Sequence, residues 1–380
     1  MTQPDRTRAR PARLSRPERL ALLAVLVGLL LAGGAVVVLS RTVADRYAAA
    51  VPTADLFGDV GVGTGVDSAP DDRLTGPVNL LVAGIDRPTD QPEKAPRADT
   101  VLLVHVPSGL SRAYLISLPR DLLVDVPAFG VSGHPGGVDR INAAMAYGSR
   151  VPGAEYPDPV TGFQLLAATV SARTGIDRFD AGVIVNFAGL ERLVDAVGGV
   201  RMTIDVDVRS AHRQPDGRPR PGNPDGPGYV GPQAEYKQGE QRLNGWQALD
   251  YVRQRESLPD GDYGRQRHQR QLVRALAEQV ISRDLITEPG RLTAVLDAAG
   301  EAVVVGTRGR SLVDFALALR QLRADDIVML DLPGVAVTDP GGGYQGERFT
   351  DDADECLAAL RAGTLDQFVL TRPELVNREK

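Results

Sequence analysis

The stretch from Tyr251 to Gln271 reads YVRQRESLPDGDYGRQRHQRQ and holds five arginines, in a chain whose formal net charge is -6. Three shorter stretches pair arginine with aspartate: Asp86 with Arg87 in GIDR, Arg97 with Asp99 in RADT, and Arg120 with Asp121 in SLPRD. A guanidinium is a planar fork that grips phosphate oxygens two at a time. Aspartates supply the hard oxygens that magnesium takes, one or two carboxylates alongside substrate phosphate. An inward arginine without a partner is costly. The pattern therefore predicts either a polyanion held by arginines with a metal held by aspartates, or a self-neutralised network of ion pairs. Four scattered histidines do not make a zinc site, and no Walker loop, dinucleotide fingerprint or nucleophile elbow is present.

The elements that position these residues follow from periodicity. Val78–Ala83, Thr100–Val106 and Arg112–Leu118 are short apolar runs that suit neighbouring buried strands. Asp86, Arg97, Asp99 and Arg120 then fall at strand ends, where α/β sheets bind ligands. Phe163, Leu166, Ala167 and Val170 share one helical face, with Gly175 as the expected C-cap. A strand over AGVIVNF, a helix stopped at Gly198-Gly199 and a strand over VRMTIDVDV come next. Helices are expected near Trp246–Val252, Tyr263–Ser282, Leu292–Ala302, Leu312–Leu322 and Ala353–Arg361, with a strand in DIVMLDLP. Alternating strands and helices predict one layered α/β domain.

Side-chain phase sorts the arginines. In the helix after Asp262, an expected N-cap, Leu272 and Leu276 mark the buried stripe. Running it back selects His268, Gln269 and Arg265, and turns Arg267, Arg270 and Arg274 to solvent. If the preceding helix ends near Val252 and the chain extends, Arg253 and Arg255 share one side. Arg97, Arg120, Arg253, Arg255 and Arg265 are thus the expected inward cations.

The acidic balance argues against nucleic acid as a partner, because non-specific binding needs a basic face. A single cysteine, Cys356, excludes an intrachain disulfide. Residues 20–39, LALLAVLVGLLLAGGAVVVL, carry no charge and match the roughly 20 residues of a membrane span. Arg6, Arg8, Arg10, Arg13, Arg16 and Arg19 precede it, which places the start in the cytoplasm and the remainder outside. A cleaved signal peptide is the alternative; its apolar core is usually shorter. The expected organisation is a basic tail at 1–19, an anchor at 20–40, a Gly- and Pro-rich linker at 41–76 and one domain at 77–375. The Pro- and Gly-crowded stretch from Ser210 to Gly239 is expected to be disordered in its middle.

NLLVAGIDR, RADTVLLVHV, LISLPRDLLVDVP, INAAMAYG, LVDAVGGV, LNGWQALDYVRQR and DYGRQRHQ occur in this order. In these motifs the chain resembles the LytR–CpsA–Psr family of cell-wall enzymes, well over residues 78–271 and loosely beyond. The resemblance implies a three-layer α/β/α sandwich with a central mixed sheet, behind one N-terminal transmembrane helix. It implies transfer of a glycopolymer from a polyprenyl-pyrophosphate carrier to peptidoglycan through a phosphodiester, assisted by Mg2+. By the same resemblance, Asp86 and Asp99 hold the metal and serve catalysis. Arg97, Arg120, Arg253, Arg255 and Arg265 hold the pyrophosphate, and Asp262 and Gln269 complete the pocket. Two positions depart from the family pattern. His268 stands where a cation is usual, which lowers the expected phosphate affinity, and Ser149 stands where a second glycine is usual. A lipid-pyrophosphate hydrolase and a non-catalytic receptor or regulator of wall polymer remain the competing readings.

Overall fold

The computed structural model describes residues 52–58, 74, 76–85, 92–254, 302–319, 322 and 326–376, with isolated positions between 258 and 300. The first half of the chain runs β1 (Val78–Ile85), β2 (Ala98–Val106), β3 (Ala113–Leu118), β4 (Leu123–Val126), β5 (Gly137–Arg140), α1 (Ile141–Ser149) and α2 (Pro159–Thr174). Then follow β6 (Ala181–Asn186), α3 (Phe187–Ala196), β7 (Val200–Ile204), β8 (Val208–Arg209), β9 (Glu235–Tyr236), β10 (Gly239–Leu243) and α4 (Gly245–Tyr251). The rest comprises β11 (Val303–Gly306), α5 (Leu312–Leu319), β12 (Ile327–Asp331), β13 (Gly334–Thr338), β14 (Tyr344–Phe349), α6 (Asp351–Arg361) and α7 (Leu365–Thr371).

The central sheet is mixed, in the order β11-β6-β1-β2-β3-β12. β1 pairs antiparallel with β2 and parallel with β6, and β3 pairs antiparallel with β2 and parallel with β12. Alternate residues of each strand serve two cores. Leu81, Ala83 and Ile85 face a cluster with Met145 of α1, Phe163 of α2 and Leu357 of α6. Leu80 and Val82 face the opposite cluster, with Leu312 and Phe315 of α5. Helices therefore cover both faces, and the strands read as unbroken apolar runs for that reason.

Helix α2 begins as its sequence dictates: the Asp158 carboxylate accepts from the backbone of Val160 at 2.9 Å and Thr161 at 3.3 Å, and Pro159 takes the first helical position. It ends at Gly175 in the left-handed region, φ 69°. α1 crosses α2 at two glycines: a Cβ on Gly162 would lie 2.6 Å from the Met145 carbonyl, and one on Gly148 2.7 Å from Leu165 Cβ. The neighbouring Ser149 is fully buried and donates to the Ala146 carbonyl at 3.1 Å, so the departure from Gly-Gly is absorbed locally.

A third apolar cluster joins α3, α4, β7, β10 and the helical positions Leu272, Ala275 and Leu276. Its central polar contact is His268, fully buried, with Nε2 2.9 Å from the Tyr251 hydroxyl and 2.9 Å from Asp205 Oδ1. The imidazole stacks on the Tyr251 ring at 4.2 Å.

Two expectations are corrected. Residues 52–58, assigned to the linker, belong to the folded unit. Val305 exchanges backbone bonds with Pro52 and Ala54, Leu56 is fully buried, and Phe57 stacks on Phe179 at 6.3 Å and meets Phe163 edge-on at 6.0 Å. The middle of Ser210–Gly239 is hydrogen-bonded rather than disordered. The Arg220 guanidinium donates to the carbonyls of Ala211, Tyr229 and Gly231, and isolated bridges pair Arg213 with Pro219 and Gly222 with Tyr229. Proline removes donors in this stretch, and arginine supplies them instead. The apolar stretch at 20–39 lies outside the described residues; among those, no helix is long and apolar enough to cross a membrane.

Candidate functional site

Three strand termini meet at one end of the central sheet: the end of β1, the start of β2 and the end of β3. Antiparallel pairing forces this, with Ile85 opposite Ala98 and Val101 opposite Leu118. The β1–β2 register slips between Gly84 and Ile85, because Gly84 faces Thr100 while Ile85 faces Ala98. Asp99 is the extra residue of β2. A bulge of this kind re-aims a side chain and recurs beside active sites.

Asp99 is partly buried, and its Oδ1 accepts from Arg120 Nη1 at 3.1 Å. The Arg120 side chain is 24 % exposed, and its Nε lies 3.7 Å from Asp121 Oδ2. Arg120 occupies the turn closed by the Leu122 N–H on the Pro119 carbonyl, 3.0 Å, and is therefore fixed to the end of β3. Arg97 is exposed, and its Nη1 donates to Asn142 Oδ1 at 3.2 Å. Asn142, in the first turn of α1, is 5 % exposed and donates its backbone N–H to the Arg120 carbonyl at 3.2 Å.

A second ring of contacts supports this group. Arg140 Nη1 lies 3.4 Å from Asp121 Oδ1, while its Nε donates to the Gln345 carbonyl at 2.9 Å. Its guanidinium covers the Tyr344 ring at 5.3 Å. The hairpin β13–β14 is thereby fastened to the site, together with the Glu347 N–H on the Asp121 carbonyl at 2.8 Å. On the other flank the Tyr147 hydroxyl donates to Asp139, and His134 stacks on the Tyr147 ring at 4.5 Å. The bond to Asp139, then burial, push the Tyr147 hydroxyl above the ordinary phenol range; the nearby Arg97 charge opposes that.

The structure thus gathers Arg97, Asp99, Arg120 and Asp121. Arg253 is carried by a different unit, on the turn that closes α4, and its side chain is exposed. The helix stops at Tyr251 with Val252 as its C-cap, one residue short of the expected end, and Gln254, which follows Arg253, is buried. Gln254 accepts from the Ala211 N–H at 2.8 Å and donates to Asp250 Oδ1 at 2.9 Å, tying the Ser210–Gly239 excursion to the turn that bears Arg253. Two of the expected inward cations, Arg97 and Arg253, are solvent-facing, because each stands at an element end rather than under a layer. His268 is inward as the stripe predicts: it is fully buried and contacts Tyr251 and Asp205. Asp86, Arg255, Asp262, Arg265 and Gln269 lie outside the described residues.

No group of three or more metal-ligating side chains converges among the described residues. Magnesium needs no such cluster when phosphate oxygens complete its shell. A partly exposed Asp99 carboxylate, beside cations suited to phosphate, fits that donor set. Sequence reading missed Asn142 and Arg140. Asn142 left a trace in INAAMAYG, as the polar residue in an otherwise apolar helical start.

Residues 61–359 match the LytR_cpsA_psr family. Biofilm regulatory protein A of Streptococcus mutans is 27 % identical over 76 % of this chain and 64 % of its own length. The cell wall biosynthesis protein LcpA of Corynebacterium glutamicum is 29 % identical over 70 % of this chain and 48 % of its own. A polyisoprenyl-teichoic acid–peptidoglycan teichoic acid transferase of Enterococcus faecalis is 28 % identical over 71 % of this chain and 74 % of its own. The chain therefore spans less than two thirds of the first two of these relatives. Among solved structures, a Streptococcus agalactiae protein superposes with a TM-score of 0.57 at 24 % identity, over 77 % of this chain and 89 % of that one. Bacillus subtilis TagV superposes with a TM-score of 0.51 at 22 % identity, over 77 % and 98 %. Both show the same fold. On the extent of the family match, this chain belongs to the LytR–CpsA–Psr family.

Proposed function

We propose that the protein transfers a glycopolymer from a polyprenyl-pyrophosphate carrier to peptidoglycan, leaving a phosphodiester link. The observation that carries this reading is the group at the sheet end: Arg97, whose guanidinium donates to the Asn142 amide, and Arg120, whose main-chain carbonyl accepts from Asn142 and whose guanidinium donates to the bulged carboxylate Asp99. The name of the Enterococcus faecalis relative supports the same donor and acceptor classes.

In the proposed reaction an acceptor hydroxyl oxygen attacks the phosphorus that carries the sugar. The bond from that phosphorus to the bridging oxygen breaks, and polyprenyl phosphate leaves with the bridging oxygen. Phosphoryl transfer of this kind depends on positioning and charge neutralisation. Arg97 and Arg120 would spread the charge that gathers on the phosphoryl oxygens. Arg253, Arg255 and Arg265, with Asp262 and Gln269, would complete the grip on the pyrophosphate. Asp86, Asp99 and Asp262 are the carboxylates available to take the acceptor proton. Asp86 and Asp99 would hold Mg2+, which supplies further charge neutralisation when bound. The apolar stretch at 20–39 would be a single-pass anchor with the amino terminus cytoplasmic, keeping the domain outside at the membrane face where the lipid carrier lies.

The test is lipid phosphate release from a polyprenyl-pyrophosphate-linked saccharide by the full-length chain with magnesium. The expected result is release that needs a peptidoglycan oligomer and is lost in Arg120→Ala. Release without any acceptor would identify a hydrolase. Binding without release would identify a receptor.

A further inference from the structure

Arg97 and Arg120 are held in different ways. Arg120 faces two carboxylates, Asp99 at 3.1 Å and Asp121 at 3.7 Å. Arg97 forms no ion pair with a described residue, and its partner is the neutral amide oxygen of Asn142 at 3.2 Å. Asn142 is 5 % exposed, so its side chain has little water to turn to, and its backbone N–H is committed to the Arg120 carbonyl. One residue thus touches both cation-bearing segments, the lead-in to β2 with its side chain and the turn after β3 with its main chain. A buried amide directs a guanidinium without cancelling its charge, whereas a carboxylate there would cancel it.

We infer that Asn142 is a positioning residue of the anion site, holding the Arg97 guanidinium at a fixed spacing from Arg120 with its charge left for the pyrophosphate. The inference rests on the pyrophosphate reading above. Helix stability alone does not explain the amide. Asn142 lies in the first turn of α1, which has no acidic residue, and aspartate there would be favoured by the helix dipole. Asparagine gives up that gain and sets no carboxylate of its own against Arg97.

The experiment measures geranyl pyrophosphate binding to the full-length chain by calorimetry, alongside thermal unfolding. Asn142→Asp keeps the acceptor and the shape; it should unfold at or above the wild-type temperature yet bind about 10–100-fold more weakly. Relative to wild type at each pH, its affinity should recover as the pH falls through the carboxylate range and the introduced charge is neutralised. Asn142→Ala should weaken binding by a smaller factor, and should add nothing in an Arg97→Ala background. Wild-type affinity in a stable Asn142→Asp protein would overturn the inference, as would full additivity of Asn142→Ala with Arg97→Ala. Absence of binding by the wild-type chain would instead overturn the pyrophosphate reading on which the inference rests.

Discussion

Where β1 and β3 finish, Arg120 meets Asp99 with side chains 24 % and 30 % exposed, the strand register is broken by a bulge, and Arg97 is in solvent. Where the same two strands begin, the polar groups are locked. The Asn79 amide oxygen sits 2.7 Å from His105 Nδ1, and the Asn79 N–H donates to Asp180 at 2.9 Å. Asp366 of α7 accepts from Arg112 at 2.7 Å and from the Tyr114 hydroxyl. Burial pushes the His105 imidazole down to about 4, against the Asp366 charge, and pushes the Tyr114 phenol up to about 12. Burial likewise raises Asp180. One end of the sheet fastens α7 and the loop before β6 to the strands. The other leaves Arg97 exposed and Arg120 partly exposed. Partial exposure and a broken register thus set the β1–β3 exit, where the proposed chemistry would take place, apart from the locked end.

Substitutions should separate the two ends, and the largest effect belongs to the exit. Arg120→Ala should lower lipid phosphate release by about a thousandfold or more. Its partly exposed ion pairs should contribute only about 1 kcal/mol to unfolding stability in a denaturant titration. A stability loss of several times that size would make Arg120 a strut and erase the contrast. Phe57→Ala, in the segment folded onto Phe163 of α2 and Phe179, should cost about 3–4 kcal/mol of stability. Affinity for geranyl pyrophosphate should stay within twofold; a larger change would show that the core and the site are coupled.

Acid should act at the locked end. His105 is buried neutral, so its folded pKa lies below the unfolded 6.5. Above that value both states are neutral and His105 gives no pH dependence. Between about 6.5 and 4 the unfolded chain takes up a proton that the folded one refuses, and stability falls by roughly 3 kcal/mol at most. Below about 4 both states are protonated and the slope ends. His105→Gln should lack this part of the acid slope in urea titrations across that range; an unchanged slope would mean that His105 is not the group responsible. The smallest effect is expected for Arg112→Ala. Arg112 and Asp366 are each about half exposed, so their pair should be worth under about 1 kcal/mol in a double-mutant cycle.

What the sequence made readable followed from burial on both sides. The runs of β1, β2 and β3 have no polar alternation to hide them, and the face of Phe163, Leu166 and Val170 announces α2. The hairpin β13–β14 escaped because one strand reads YQGERF and the turn is DPGGG; it is held by Arg140 and Asp121, which periodicity cannot see. Leu56 and Phe57 escaped because two apolar residues in a Gly-rich stretch carry no period, and only Phe163 and Phe179 give them a place. In the site, residue types and strand ends identified Arg97, Asp99 and Arg120. The bulge that aims Asp99 and the amide that holds Arg97 are products of pairing between segments distant in sequence. His268 shows the converse: the helical stripe sent it inward, and only Tyr251 and Asp205 reveal that inward meant the core.

The most direct measurement is the mass of a peptidoglycan fragment incubated with the full-length chain, magnesium and a polyprenyl-pyrophosphate-linked saccharide. The fragment should gain the saccharide plus one phosphate, and free polyprenyl phosphate should appear in equal amount. An unchanged fragment, with the lipid either intact or hydrolysed to free saccharide phosphate, would contradict the proposed transfer.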